Sequence, residues 1–240
     1  MYRSLRVVAI VPVFNEESKI GHVLRRIPRD VVDEVVVVDD GSTDSSIEVA
    51  RSLDAKVISL GKTIGVGAAL REGYRHALAS GFDVAIVMAG NNKDFPEEIP
   101  TLLDPIASGE ADFVQGSRYL SVNPDFGDMP LYRRWATKLH PRLFSLVAGK
   151  RVTESTNGFR AIATKVLADP RLNLDQPWLD EYELEPYLYL KVIRLNYRTV
   201  EVPVRKVYPP KSQGQTKMKP IVGWWSMLRP LLYVALGLKD

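Results

Sequence analysis

The chain has 240 residues, 45% of them hydrophobic and 25% charged, and it contains no cysteine. That length can bury a large core without covalent staples, and the composition excludes a disordered chain; the missing cysteine excludes disulfides, thiolate metal sites, iron–sulfur clusters and a thiol nucleophile. A formal net charge of +3 is too small for a dedicated nucleic-acid binder, so an anionic partner must be met by locally clustered bases.

Arg6–Val13 is a β-branched, apolar run, the pattern of a strand covered on both faces. Glu17–Ile27 follows as a helix, with Asn15 as its N-cap and Pro28 beyond its end. The chain then alternates: strand Glu34–Asp39, helix Asp44–Leu53 (capped by Thr43 or Asp44), strand Lys56–Leu60, helix Val66–Ala79, strand Asp83–Met88, helix Glu97–Ala107, strand Asp112–Gln115. Alternation with short links predicts an α/β fold with a mostly parallel sheet flanked by helices. After Arg118 the spacing predicts a basic helix over Leu131–Val147, strands at Gly158–Ala163 and Thr199–Val204, and a helix over Glu181–Ile193. Arg205–Lys219 reads as a loop and Pro220–Leu236 as a last helix. We read one domain with a first half to residue 118, a second half over 119–219, and a C-terminal amphipathic helix over 220–240. Its longest apolar stretch, Met227–Leu238, is broken by Arg229 and Pro230 and is too short to span a bilayer. Leu5–Phe14 lacks a cleavage signature, so the expected location is cytoplasmic.

Val38-Asp39-Asp40-Gly41-Ser42-Thr43-Asp44 ends the second strand, at the edge where open α/β sheets bind ligands. Two adjacent carboxylates there need polar partners, supplied either by a ligand or by a strand-to-helix turn. Val11-Pro12-Val13-Phe14-Asn15-Glu16 ends the first strand at the same edge. Together the two motifs resemble those of family 2 glycosyltransferases of the GT-A fold. The resemblance implies that Pro12, Phe14, Glu16, Asp39 and Asp40 hold the nucleotide. Gly65-Val66-Gly67-Ala68-Ala69, with Arg71 and Gly73, matches that family's next signature and adds Gly65 and Gly67. As a dinucleotide fingerprint the same stretch fails, because Leu70 replaces the third glycine and the first strand does not precede it.

The likeness extends to the branch that acts on polyprenyl phosphates, which includes dolichol-phosphate mannose synthase. It rests on Gly116-Ser117-Arg118, on Arg133 and Thr137 spaced i, i+4, on Thr156-Asn157-Gly158-Phe159-Arg160, and on Glu201-Val202-Pro203-Val204 followed by Gly214-Gln215-Thr216-Lys217. It implies inverting transfer of one sugar from a UDP- or GDP-linked donor to a polyprenyl phosphate at the cytoplasmic membrane face. Arg118, Arg133, Thr137, Arg160, Arg205 and Lys217 are then the candidates for acceptor and phosphate contacts. Charge agrees: Arg205–Lys219 holds five bases and no acid, and Arg118–Arg151 seven bases against two acids. For Lys138 and Lys150 a plain solvated face is sufficient. A glycan or small-molecule hydroxyl as acceptor, or a non-catalytic nucleotide-sugar binder, remain as alternatives.

One departure is large. The family carries Asp-x-Asp after the fourth strand to hold Mg²⁺ or Mn²⁺, but here Ala89 and Asn91 stand in those places, within Met88-Ala89-Gly90-Asn91-Asn92-Lys93-Asp94. A hard divalent ion wants carboxylate oxygens. The first expectation is therefore no required metal, with Lys93 in its stead; a weak ion held through Asn91 and Asp94 is the alternative. Asn91 is also a candidate nucleotide contact. Lys93, with Arg205 or Lys217, is expected to neutralise the departing diphosphate. Asp180 and Glu183 are candidate bases, or else first-turn acids of the following helix. His22, His76 and His140 fit no metal spacing and read as surface or packing residues. In the last helix Ile221, Trp224, Trp225, Leu228, Leu231, Leu232, Ala235 and Leu236 recur at helical spacing, with Lys217, Lys219 and Arg229 nearby. That pattern fits a membrane surface or the protein's own core.

Overall fold

The computed structural model describes residues 1–121, 123–210, 212, 217, 218 and 220–239. In chain order the elements are β1 (Val7–Val13), α1 (Glu17–Arg26), β2 (Glu34–Asp39), α2 (Ser46–Arg51), β3 (Lys56–Ser59), α3 (Val66–Ala79), β4 (Val84–Val87), α4 (Ile99–Ala107), β5 (Phe113–Ser117), α5 (Leu131–Ala148), β6 (Arg160–Ala163), α6 (Thr164–Leu167), α7 (Leu184–Arg194), β7 (Thr199–Pro203) and α8 (Pro220–Ala235). Seven strands form one sheet in the order β3-β2-β1-β4-β6-β5-β7. All pair in parallel except β6, which runs against both neighbours, β4 and β5. The mostly parallel α/β expectation holds; the reversal of β6 had no signal in its composition.

Alternate residues of the strands feed two cores. Val8, Ile10, Val36 and Val38 pack with α3 and α7 on one face. Val7, Ala9, Val11, Val35 and Val37 pack with α1 and α4 on the other. Two covered faces explain why β1 and β2 read as unbroken apolar runs. The register fixes the site: Val13 lies beside Asp39, so Phe14 and Asp40 leave adjacent strand ends side by side. β4 ends level with Ile10, and the chain beyond it runs under β1, where the Gly90 N–H donates to the Pro12 carbonyl at 3.3 Å.

Local differences have local causes. Asn15 adopts φ +51° instead of capping α1; its Oδ1 accepts the Thr43 N–H at 2.7 Å and ties two loops together. Asp44 does take up the Ser46 N–H, at 3.0 Å, but α2 has only six residues. The helix expected from Glu181 starts at Leu184, after a 3₁₀ turn at Pro177–Leu179. Helix α8 continues through Pro230. Among the described residues no helix is long and apolar enough to cross a membrane.

Candidate active site

A cavity of about 710 Å³ opens at the C-terminal edge of β1, β2, β4 and β5, the edge at which parallel strands present ligand-binding loops. Pro12, Phe14 and Glu16 reach it from β1, Asp40 from β2, Gly65 from the start of α3, Ala89, Asn91 and Lys93 from β4, and Arg118 from β5. Arg133 and Thr137 join from α5, and Lys217 from the loop before α8. Residues from both halves of the sequence therefore line one space.

Six of the expected nucleotide, acceptor and catalytic residues do not line it. Asp39 is 1% exposed; its carboxylate accepts the Ser42 N–H at 2.9 Å, the Gly41 N–H at 3.2 Å and the Ser59 hydroxyl at 3.0 Å, so it braces its own turn. Its neighbour Asp40 is the carboxylate at the cavity, held by the N–H groups of Ile64 at 2.7 Å and Gly65 at 3.0 Å. Gly67 packs on the chain at 179–181. Arg160 is buried, bonded to the Asn157 carbonyl at 2.8 Å and Glu185 Oε1 at 2.9 Å. Arg205 points outward to Glu98 Oε1 at 2.6 Å and over the Phe95 ring. Asp180 pairs with Arg71, and Glu183, fully buried, sits 2.6 Å from Arg229. Both acids thus tie the segment before α7 to neighbouring helices, Asp180 to α3 and Glu183 to α8. The expected Gly214-Gln215-Thr216 element lies outside the described residues.

Several wall residues were not among those expected from the sequence. The acids that face the cavity here are Glu181, in the turn before α7, and Glu185, in the first turn of α7, with Tyr182 between them in sequence. Burial raises the Glu181 carboxyl, helped by Glu183, Asp40 and Asp180, with Arg229 opposing. Burial pushes the Tyr182 phenol up to about 12. From the last loop come Lys206 and Tyr208. Lys206 replaces Arg205 because successive side chains on extended backbone point to opposite sides; the reachable signal was that alternation within a basic loop.

The positive charge is concentrated. Lys93 Nζ lies 4.7 Å from the centre of the Tyr208 ring, and the Arg133 guanidinium lies 5.8 Å from it. Burial, then Lys206 and Arg133, depress the Lys93 ammonium to about 7, with Asp94 and Glu16 opposing. Two further donors in the wall, Arg118 Nη1 and Trp224 Nε1, are buried and have no partner among the described residues. Buried donors without acceptors are costly, and an incoming anion would satisfy them.

The Asn91 region does not fit a resident divalent ion. Ala89 offers no ligand atom, and Asn91 Oδ1 accepts the Lys93 N–H at 3.3 Å. Asp94 is 1% exposed, does not line the cavity, and lies 2.5 Å from Lys206 Nζ. Among the described residues no three His, Asp or Glu side chains form a group that could hold a metal ion, and the Lys93 and Lys206 side chains line the cavity near Asn91. No histidine lines the cavity; His140 is buried between Ser155 Oγ at 2.7 Å and the Met227 carbonyl at 3.0 Å.

Helix α8 shows two faces. Trp224 and Met227 line the cavity, and Leu228 and Leu231 pack into the core. Ile221, Trp225, Leu232 and Leu236 are exposed. The apolar spacing seen in the sequence therefore serves the core and an outer surface together.

Gly67 offers a direct test of how the wall is built. A β-carbon there would lie 2.0 Å from the Leu179 carbonyl and 2.6 Å from that of Glu181. Gly67→Ala must push the 179–181 segment off α3, breaking the Ala68 N–H bond to the Asp180 carbonyl at 3.0 Å. The expected cost is about 1–3 kcal/mol, measurable as a lower urea midpoint.

The family described as Glycosyl transferase family 2 matches residues 8–169. An undecaprenyl-phosphate mannosyltransferase of Micrococcus luteus is 32% identical over 224 residues, covering 89% of this chain and 88% of its own. A dolichyl-phosphate hexose transferase of Haloferax volcanii is 30% identical over 233 residues, covering 96% and 94%. The crystal structure of glucosyl-3-phosphoglycerate synthase from Mycobacterium tuberculosis with Mn²⁺, UDP-glucose and phosphoglyceric acid superimposes with a TM-score of 0.73 at 21% identity, over 99% of this chain and 81% of that one. That neighbour binds Mn²⁺ together with its nucleotide, so a metal accompanies the donor elsewhere in this GT-A fold. With the strand-edge cavity, the two carboxylate-bearing turns and a family match over most of its length, the chain belongs to glycosyl transferase family 2.

Proposed function

We propose that the protein transfers a single sugar from a nucleotide sugar to a polyprenyl phosphate, with inversion at the anomeric carbon. The observation that carries this reading is the cluster of Lys93, Lys206, Arg133 and Arg118 in one cavity, in a chain 32% identical to an undecaprenyl-phosphate mannosyltransferase. Pro12, Phe14 and Asp40 would border the nucleotide. Lys93 and Lys206 would meet its diphosphate, and Arg118, Arg133 and Thr137 the acceptor phosphate. A phosphate monoester has its second pKa near about 6 and is anionic at pH 7, so it can attack without a strong general base. The structural task is then to hold two anions together and to neutralise the diphosphate as it leaves.

Donor binding in this reading needs no divalent ion, because Lys93 and Lys206 line the same cavity as Ala89 and Asn91, which stand where the family's carboxylates would gather one. The lipid acceptor places the protein at the cytoplasmic face of a membrane, with the outer side of α8 toward the lipid. The test is product formation from radiolabelled UDP- and GDP-sugars with a short-chain polyprenyl phosphate, in Mg²⁺, in Mn²⁺ and in EDTA. A charged lipid-linked sugar formed at a comparable rate in EDTA is expected. Transfer to phosphoglycerate but not to lipid phosphate would overturn the acceptor. Loss of nucleotide-sugar binding on chelation, restored by Mn²⁺, would overturn the metal-free donor site.

A further inference from the structure

Glu185 reaches the cavity from the first turn of α7, held from behind by a buried arginine. Arg160 is 1% exposed, and its Nη2 donates to Glu185 Oε1 at 2.9 Å and to the Asn157 carbonyl at 2.8 Å. Its Nη1 donates to the main-chain carbonyl of Glu185 at 3.3 Å. One planar guanidinium thus grips both the side chain and the backbone of the same residue, which fixes the direction of the carboxylate. The second carboxylate oxygen, Oε2, accepts no hydrogen bond among the described residues. A first-turn acid suits α7 through the helix dipole alone. That benefit does not require an interior arginine behind the acid, which is costly to bury.

The sheet register puts this corner beside the donor loop. Arg160 pairs with Val87 across β4 and β6, and the chain beyond Val87 runs through Ala89 and Asn91 to Lys93. A sugar carried by a diphosphate at Lys93 has this corner next to it. Leu70 and Val87, both buried, give the corner an apolar floor. Gly158 keeps it open, because a β-carbon there would stand 2.9 Å from Glu185 Oε1. Burial pushes the Tyr182 phenol up to about 12, so it stays an O–H group at neutral pH. Apolar surface with a few aimed polar groups is the kind of wall that fixes the orientation of a small ligand. Here it suits a pyranose, with C–H faces for the aliphatic side chains and hydroxyls for the carboxylate and the phenol.

We propose that Glu185 determines which sugar is transferred: its Oε2 accepts hydrogens from the sugar hydroxyls, Arg160 is the positioning residue that aims it, and the pair selects a neutral sugar over a uronic acid. The proposal rests on the nucleotide-sugar reading above and deepens it by naming the class of sugar. A site built to bond a hydroxyl rejects a group that cannot donate to it. The carboxylate of a uronic acid cannot donate, and across one sugar ring in an enclosed cavity its charge repels that of Glu185.

The test is calorimetry of the full chain, with Mn²⁺ present, against UDP-glucose and UDP-glucuronate, GDP-mannose and GDP-mannuronate, and UDP and GDP alone. The wild type should bind the neutral member of one pair about tenfold or more tighter than its uronate. Glu185→Gln keeps the shape and an acceptor for Arg160, and should lose that preference while its affinity for the free nucleoside diphosphate stays the same. Arg160→Met should lose the preference too, and Arg160→Lys should recover most of it. A merely structural role would lower all the affinities together and leave the ratio of the two donors alone. Gly158→Ala drives the carboxylate from its place without removing a charged group, and supplies the same loss of preference should Glu185→Gln fail to fold. Equal binding of hexose and uronate by the wild type would overturn the proposal. So would the full preference in folded Glu185→Gln or, failing that protein, in Gly158→Ala. If the preference and its loss are seen but no sugar reaches polyprenyl phosphate, the assignment of Glu185 stands and the acceptor reading falls. Binding of none of these ligands would take down the nucleotide-sugar reading and this assignment with it.

Discussion

Lys93→Met is expected to lower turnover by about 10²–10³-fold, the scale on which losing one preorganised charge partner in a transition state acts, while the folded protein becomes more stable at pH 7. Lys93 is 5% exposed, and its ammonium is depressed to about 7 by burial and by Lys206 and Arg133. The unfolded chain therefore binds more protons than the folded one between about pH 7 and the ordinary lysine value, and stability rises with pH across that window. Methionine removes this penalty and the window with it. A donor diphosphate reverses the balance, since it favours the charged ammonium. Donor affinity should be highest below pH 7 and fall as pH rises through 7, by at most about tenfold per unit. Calorimetry at pH 8 in two buffers of different ionisation enthalpy should show proton uptake on binding by the wild type and none by Lys93→Met. A variant that binds donor with unchanged pH dependence would return Lys93 to the role of an ordinary loop lysine.

The strand ends were legible because they are written locally. Val7–Val13 and Glu34–Asp39 are buried on both faces, and their apolar runs stop where the site begins. The identity of the wall residues was less legible, for a physical reason. Asp39 and Asp40 are adjacent and chemically equal in sequence; which faces the cavity depends on the turn, where three donors consume Asp39. Asp180 and Glu183 looked catalytic by position, but long-range partners, Arg71 and Arg229, take them. Glu181 and Glu185 reach the cavity instead, a result of the turn that precedes α7. Likewise α5 read as a basic helix in sequence. Its inversion, with arginine inside and tryptophan outside, emerges only once the cavity behind it is known.

Arg118 shows the same interplay of fold and site, and its loss carries the largest expected cost in stability. It follows β5 directly and is 2% exposed. Its Nε donates to Glu154 Oε2 at 2.6 Å. Glu154 is fully buried, and its other oxygen accepts the Thr156 N–H at 2.8 Å and the Thr156 hydroxyl at 2.7 Å. The carboxylate thus fixes the 154–156 loop to the strand end, and Arg118 cancels its charge. Arg118→Ala strands that charge in the interior and should cost about 3–5 kcal/mol, seen as a large fall in the urea midpoint. This alone would say nothing of function. Arg118→Lys separates the two roles. An ammonium can still compensate Glu154, so most of the stability should return. It cannot also supply the second nitrogen, Nη1, which is buried at the cavity without a partner among the described residues. Losing one charge-assisted bond to the acceptor phosphate should raise KM for polyprenyl phosphate about tenfold or more, with donor affinity unchanged by calorimetry. A folded Arg118→Lys enzyme with wild-type KM for the lipid would assign Arg118 to holding Glu154 alone, and the acceptor phosphate would have to be met by Arg133 and Thr137 without it.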